Sequence, residues 1–366
     1  MNISYPDSYF QTALFLTFLV TIIILTAKKD TNPHTIDHSH TNELKGIAIL
    51  MVIFSHIGYF LFSDHTFLYP VSVLGGVGVN IFLFLSGFGL TSSENKSKRT
   101  ILAFYKHRLK NIFIPMWLVL IPLYISDYYL LGRSYSQISI LQSVLGFFPN
   151  SNVDTSINSP LWYFTLILFY YLIFPLVYKR NKPILSTIVI LFLGYFMVNL
   201  KLPVPKDLLK LYKLHFLAFP FGMLFASIFN NNILKIKDRL KILQLGKTVP
   251  FFLRFILTLL LTIVFSYTAI HSSIGEKISS EALISLITMT TLVLIVLIKK
   301  VQSNLLIVLG EYSYGIYLIQ WPLMYRYDFI YKHTPLFLGT LLYIAVFLII
   351  GYVLNRIAKT FTEVSS

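Results

Sequence analysis

The apolar stretch "ELKGIAILMVIFSHIGYF", residues 43–60, contains a lysine and a histidine, Lys45 and His56. At 100° and about 1.5 Å per residue, the two project from nearly the same face of a helix, roughly 16 Å apart along its axis. One face thus offers a cation at a membrane surface and an imidazole near mid-depth. An ionisable group at that depth is costly and is a functional hypothesis by default. Imidazole can accept and return a proton near neutrality, as general acid–base chemistry requires. A neutral histidine hydrogen-bonded between packed helices is the alternative, and this stretch alone leaves both open.

Further constellations follow. In "GGVGVNIFLFLSGFGL", residues 75–90, glycines and Ser86 stand at positions where helices can approach closely, and Asn80 is a polar group in the outer half. The "FLSGF" context of Ser86 lacks the G-x-S-x-G elbow of serine hydrolases, so Ser86 is not cast as a nucleophile. In "FYKHRLKNIFIPMW", residues 104–117, Lys106, His107, Arg108 and Lys110 crowd the mouth of a span that Pro115 can break locally. Such a cluster suits phosphate groups, with arginine supplying forked hydrogen bonds, or it anchors the chain beside anionic lipid. Trp162 and Tyr163 can belong to an interfacial belt, while Tyr312, Tyr314, Tyr317 and Gln320 are polar handles able to line a cavity. The loop "NPHTIDHSH" holds His34, Asp37, His38 and His40, but its spacing matches no standard zinc signature and it reads as solvated.

These residues need a membrane scaffold to position them. Of 366 residues, 56% are hydrophobic and 12% charged, and apolar runs of spanning length recur throughout. The expected spans are 9–27, 46–63, 71–91, 111–131, 160–178, 183–200, 213–229, 249–270, 281–298, 304–325 and 335–355. The fold class is therefore an all-α, polytopic membrane helix bundle of about ten or eleven transmembrane helices. One membrane domain is expected over residues 1–366, with residues 1–30 as an additional N-terminal helix and no fused soluble domain. The absence of cysteine excludes disulfides and thiolate chemistry.

The net charge of +15 reflects loop composition rather than a nucleic-acid partner. Loops on one side, with the C-terminus, carry 21 of the 30 basic residues, which places the N-terminus outside and the C-terminus in the cytoplasm. One loop disagrees: "KLPVPKDLLKLYK" puts four lysines outside, so either it forms a short amphipathic helix or a flanking span is misplaced. The stretch "SYSQISILQSVLGFFPNSNVDTSINSP" is the longest outer loop, a candidate lid over an outer vestibule. No internal repeat of the kind seen in many transporters stands out.

Taken in order, five segments resemble acyltransferase family 3 of integral membrane acyltransferases: Lys45 and His56; "GGVGVNIFLFLSGF"; Arg108 to Pro115; "PLWYF…FYYLIFPL"; and "LGEYSYGIYLIQWPL". They span residues 43–325. The resemblance implies transfer of an acyl group, commonly acetyl, from cytoplasmic acyl-CoA to a hydroxyl of a cell-surface or lipid-linked glycan. It implies that His56 is the essential histidine, Lys45 the essential basic residue and Arg108 the conserved arginine. The chain departs from the family pattern in carrying Asn111 beside Lys110 where a second arginine is usual, Asn80 for an acidic residue, and Gln320 for a histidine.

The expected mechanism docks the CoA phosphates on Lys45, Arg108 and Lys110 and brings the thioester to His56. His56 acts as general base or, in a variant, as transient acyl carrier. Oxyanion candidates are Asn80, Ser86, Trp162 and Tyr317. No permanent cofactor or metal is expected; acyl-CoA is a substrate, the other partners are the glycan acceptor and membrane lipid, and the location is a bacterial cytoplasmic membrane. The rival readings are a transporter or flippase of polysaccharide or lipid-linked sugar, with His56 as proton relay, and a structural membrane subunit.

Overall fold

The computed structural model describes residues 7–30, 36–62, 65–200, 204–230, 251–272 and 278–363. Among them nine helical runs are long and apolar enough to cross a membrane: Ser8–Leu25, His38–Leu61, Tyr69–Lys96, Ile101–Leu131, Ser159–Val177, Lys206–Ile228, Phe251–Ile270, Ile278–Ile298 and Leu336–Thr362. The two other expected spans are present as a shorter helix, Pro183–Asn199, and as a broken one, Asn304–Glu311 followed by Ser313–Trp321. The chain is therefore an all-α polytopic bundle.

In chain order the helices are α1 (Ser8–Leu25), α2 (His38–His56), α3 (Tyr69–Ser72), α4 (Gly75–Lys96), α5 (Ile101–Leu131), α6 (Gln137–Val144) and α7 (Trp162–Val177). There follow α8 (Pro183–Asn199), α9 (Lys206–His215), α10 (Ala218–Asn230), α11 (Phe251–Ile270), α12 (Ile278–Ile298), α13 (Asn304–Glu311), α14 (Ser313–Trp321) and α15 (Leu336–Glu363). Two π-helical turns interrupt the regular geometry: Ile57–Leu61 follows His56 directly, and Pro322–Arg326 follows Trp321. Such turns are rare and concentrate at functional sites. Two short strands, β1 (Ala27–Lys29) and β2 (Val301–Ser303), pair antiparallel with Lys28 opposite Gln302. They tie the end of α1 to the start of α13, at the end of the bundle that also holds Lys45 and Arg108. We call this the basic end.

The start of α2 is fixed there by polar groups. Asp37 caps the helix, accepting from the backbone N–H of Ser39 at 2.9 Å and of His40 at 3.0 Å. His40 is 1% exposed and bridges Asp37 and Asp30 through its two ring nitrogens, at 2.8 and 3.0 Å. The buried Glu43 carboxylate accepts from Lys299 Nζ at 2.6 Å and from the Ser303 N–H at 2.9 Å. The loop "NPHTIDHSH" is thus partly a buried clamp rather than a solvated segment; His34 lies outside the described residues. Among the described residues, no group of three or more His, Asp or Glu could hold a metal ion.

Close packing then sets α2 against α13. A Cβ at Gly46 would meet the Leu306 carbonyl, and one at Gly310 would meet the Asn42 carbonyl, so the two backbones touch where only glycine fits. Two apolar clusters flank the middle of the bundle. One gathers Phe15, Ile53, Phe54, Met116, Phe164 and Ile316; the other gathers Leu83, Leu166, Tyr170, Tyr212, Phe219 and Met223. Ile112 and Tyr163 pack against both, which places the space between them at the centre.

Two expected boundaries move. α5 begins at Ile101 and runs unbroken through Pro115 and Pro122, so Lys106, Arg108 and Lys110 lie on its first turns rather than in a loop. From Lys206 the lysine-rich "KLPVPKDLLKLYK" segment forms the amphipathic helix α9, which exposes Lys206, Asp207 and Lys210 and buries Leu208, Tyr212, Leu214 and His215; Lys201 lies outside the described residues. That face packs inward because its apolar and aromatic side chains recur at helical spacing.

Candidate active site

α2 carries Lys45 and His56 on one face, as the eleven-residue spacing predicts, and both line a cavity of about 410 Å³ between the two clusters. The cavity is lined by Thr41, Lys45, Arg108 and Glu311 at the basic end and extends past Ser86, Tyr171, Tyr314 and Tyr317 to His56 and Trp162. The Arg108 guanidinium lies 5.6 Å from the Tyr171 ring centroid. Lys45 Nζ donates to Asn42 Oδ1 at 3.3 Å. Among the described residues neither Lys45 nor Arg108 is in a salt bridge, and the two repel one another across the mouth. Two half-buried cations without a salt-bridge partner can hold an anion, and the Glu311 carboxylate lines the same mouth. Lys110 is outside this lining.

A second cavity of about 270 Å³ lies toward the other end, lined by Ser55, Phe60, Gly75, Gly76, Ser151, Val153, Ser159, Leu211, His215 and Trp321. Val52, His56, Val79, Pro160 and Trp162 line both. His56 therefore stands in the wall where the two spaces meet. Ser151, Val153 and Ser159 come from the long loop, which covers this second cavity as a lid would. The loop is pinned from several sides. Asn158 Nδ2 donates to the Leu318 carbonyl at 2.8 Å, and the buried Arg326 donates to Asp127 and to the Ser156 carbonyl. Tyr135 and Tyr327 also donate to the Asp127 carboxylate.

The His56 ring is held by Gln320 and Trp321. Gln320 Oε1 lies 2.9 Å from His56 Nδ1. With this oxygen as the acceptor, Nδ1 carries the proton and Nε2 presents its lone pair. Gln320, wholly buried, thus occupies the role of an orienting group. The Trp321 indole meets the His56 ring edge-on at 5.0 Å between centroids and fixes its plane.

The four oxyanion candidates separate. Tyr317 donates its hydroxyl to the Pro160 carbonyl. Asn80 is 1% exposed, lies outside both linings, and has its amide engaged by His215 and Ser285. Ser86 accepts from Tyr171 at 3.4 Å, nearer the basic mouth. Trp162 lies on the shared wall, and its indole N–H has no protein partner among the described residues. His215 was not singled out from the sequence. The span expected at 213–229 put it at a helix entrance, whereas α9 begins at Lys206 and carries it inward.

A family model described as an acyltransferase domain matches residues 42–356. No curated protein and no solved structure matches the chain. α1 precedes the matched region, and every lining residue of both cavities except Thr41 falls within it.

Proposed function

The chain belongs to acyltransferase family 3 and is an integral membrane acyltransferase, and from that premise we propose that it moves an acetyl group from cytoplasmic acetyl-CoA to a hydroxyl of a cell-surface or lipid-linked glycan. The observation that carries the reading is the placement of His56 in the wall common to two cavities, one of which opens between Lys45 and Arg108. A donor with a polyanionic head and a long thin arm suits the first cavity: phosphates at the two cations, pantetheine along the Tyr171, Tyr314 and Tyr317 wall, thioester at His56. The acceptor enters the second cavity beneath the long loop. Donor and acceptor then meet without either crossing the bilayer.

At the junction His56 Nε2 takes the proton of the acceptor hydroxyl as that oxygen attacks the thioester carbonyl. The C–S bond breaks, and the same nitrogen returns the proton to the departing thiolate. Gln320 accepts from Nδ1–H throughout and stabilises the transient imidazolium. The Trp162 indole N–H is the donor best placed by its shared-wall position to meet the developing oxyanion. In this reading the basic end faces the cytoplasm and the N-terminus lies outside, which the distribution of lysine and arginine supports.

The test uses the purified full-length protein in lipid nanodiscs with radiolabelled acetyl-CoA and envelope glycans as acceptor. His56→Ala is expected to abolish acetyl transfer while acetyl-CoA binding and thermal unfolding stay near wild type. Transfer at the wild-type rate by His56→Ala would remove His56 from the chemistry.

A further inference from the structure

The transfer step does not use the second imidazole of the outer cavity, His215. His215, at the end of α9, is 2% exposed, and its ring lies nearly parallel to Trp162, 23° apart in plane and 5.6 Å between centroids. Its Nδ1 lies 2.8 Å from Asn80 Oδ1, and Asn80 Nδ2 donates to Ser285 Oγ, also at 2.8 Å. With Asn80 Oδ1 as the acceptor, the proton sits on Nδ1 and the lone pair on Nε2. No partner for Nε2 exists among the described residues, and His215 lines the outer cavity. Gly76 lies beside the ring, where a Cβ would make an ordinary contact 3.5 Å from His215 Cε1.

The outer cavity thus holds two imidazoles built alike. Each gives its Nδ1–H to a buried primary amide, Gln320 for His56 and Asn80 for His215. They differ in what they face: His56 lines both cavities, whereas His215 lines only the outer one. Nε2 has no protein donor, so a ligand that fills this cavity satisfies it only by bringing a donor of its own. Phe60, Trp162 and Trp321 supply the apolar walls that the carbon face of such a ligand would pack against.

Resting on the acyltransferase reading above, we propose that His215 Nε2 accepts a hydrogen bond from a second hydroxyl of the acceptor. The acceptor is therefore a polyol held at two points, with the reacting hydroxyl at His56 and a neighbouring one at His215. Asn80 and Ser285 act through His215 as positioning residues.

The experiment compares three small alcohols as acceptors for the full-length protein in nanodiscs with radiolabelled acetyl-CoA: cyclohexanol, cyclohexane-1,2-diol and cyclohexane-1,3-diol. For wild type, kcat/KM for the better diol should exceed that for cyclohexanol on the order of 10- to 100-fold, the factor expected from one satisfied buried group. His215→Phe keeps an aromatic ring against Trp162 but lacks the nitrogen, and should reduce the ratio to the statistical factor for two hydroxyls. A purely structural role would lower all three rates together and leave the ratio alone. A wild-type ratio at the statistical factor, or a preference that survives in His215→Phe, would overturn the two-point site while leaving the acyltransferase reading intact. Wild-type protein that binds acetyl-CoA but acetylates none of the alcohols would instead overturn the outer cavity as acceptor site, and this inference with it.

Discussion

A general base buried among apolar helices works only if its proton sits on the correct nitrogen. At His56 that choice belongs to Gln320, whose oxygen takes the Nδ1–H and leaves Nε2 for the substrate. Replacing Gln320 by leucine keeps most of the volume but removes the acceptor. Gln320→Leu is expected to lower kcat about 10- to 100-fold, the usual cost of losing an orienting partner, with the KM for acetyl-CoA near wild type. Steady-state kinetics of the purified variant check this, and an unchanged kcat would show that the ring holds its tautomer unaided. Arg108→Ala should have the opposite signature. One charge-assisted hydrogen bond contributes about 1.5–3 kcal/mol, so the KM for acetyl-CoA should rise on the order of 10- to 100-fold with little change in kcat. Dephospho-CoA competition would show whether Arg108 meets the 3′-phosphate. At this scale the sequence was informative where chemistry and helical geometry coincide. Lys45 and His56 declare themselves because an eleven-residue interval returns to the same face. Gln320 was visible as a polar handle, but its bond to His56 joins residues 264 positions apart, and no local pattern encodes that.

The elements hold these residues through their ends as much as through their apolar faces. α2 begins at Asp37, whose side chain accepts from two backbone N–H groups and from the Ser39 hydroxyl at 2.8 Å. Partial burial works to raise the Asp37 pKa, but the hydrogen bonds from His40 and Ser39 outweigh it and hold the carboxyl well below the usual carboxylate range. A depressed carboxylate stabilises the fold above its ordinary pKa of 3.8, and that contribution is lost as pH falls toward the folded-state value. Asp37→Ala should therefore lower stability by about 1 kcal/mol at pH 7, the ordinary cost of a lost N-cap. The gap to wild type should narrow below roughly pH 4. Thermal unfolding in detergent across pH 3–7 reads both, and a gap independent of pH would mean that the carboxylate charge plays no part in the cap. α9 shows what single-residue hydropathy misses. Its exposed Lys206 and Lys210 delayed the expected span to residue 213, although Leu208 and Tyr212 already mark a buried face four residues apart. The consequence was to leave His215 looking like an entrance residue. The same weighting of charge shortened α5, where Lys106, Arg108 and Lys110 sit on regular helix.

Across the whole molecule, function depends on which end faces which compartment. A cavity mouth holding Lys45 and Arg108 serves acetyl-CoA only if it opens to the cytoplasm, and the spans expected from the sequence assign 21 of the 30 basic residues to that side. The four lysines of "KLPVPKDLLKLYK" spoke against this orientation as long as they were counted as an outer loop. In α9 the exposed Lys206 and Lys210 lie on the polar face of an amphipathic helix, a setting in which basic side chains reach the headgroups whichever leaflet is near. Their weight against the remaining basic loops is correspondingly small. Because the chain has no cysteine, orientation can be measured with single introduced thiols and no background. Ser97 closes α4 at the basic end, and Ser134 stands at the opposite end, just beyond α5; both are exposed. In intact cells Ser134→Cys should react with a membrane-impermeant maleimide, whereas Ser97→Cys should react only after permeabilisation. The reverse pattern would put the two cations outside, away from any cytoplasmic CoA thioester, and the donor assignment of the larger cavity would fall even if His56 proved essential.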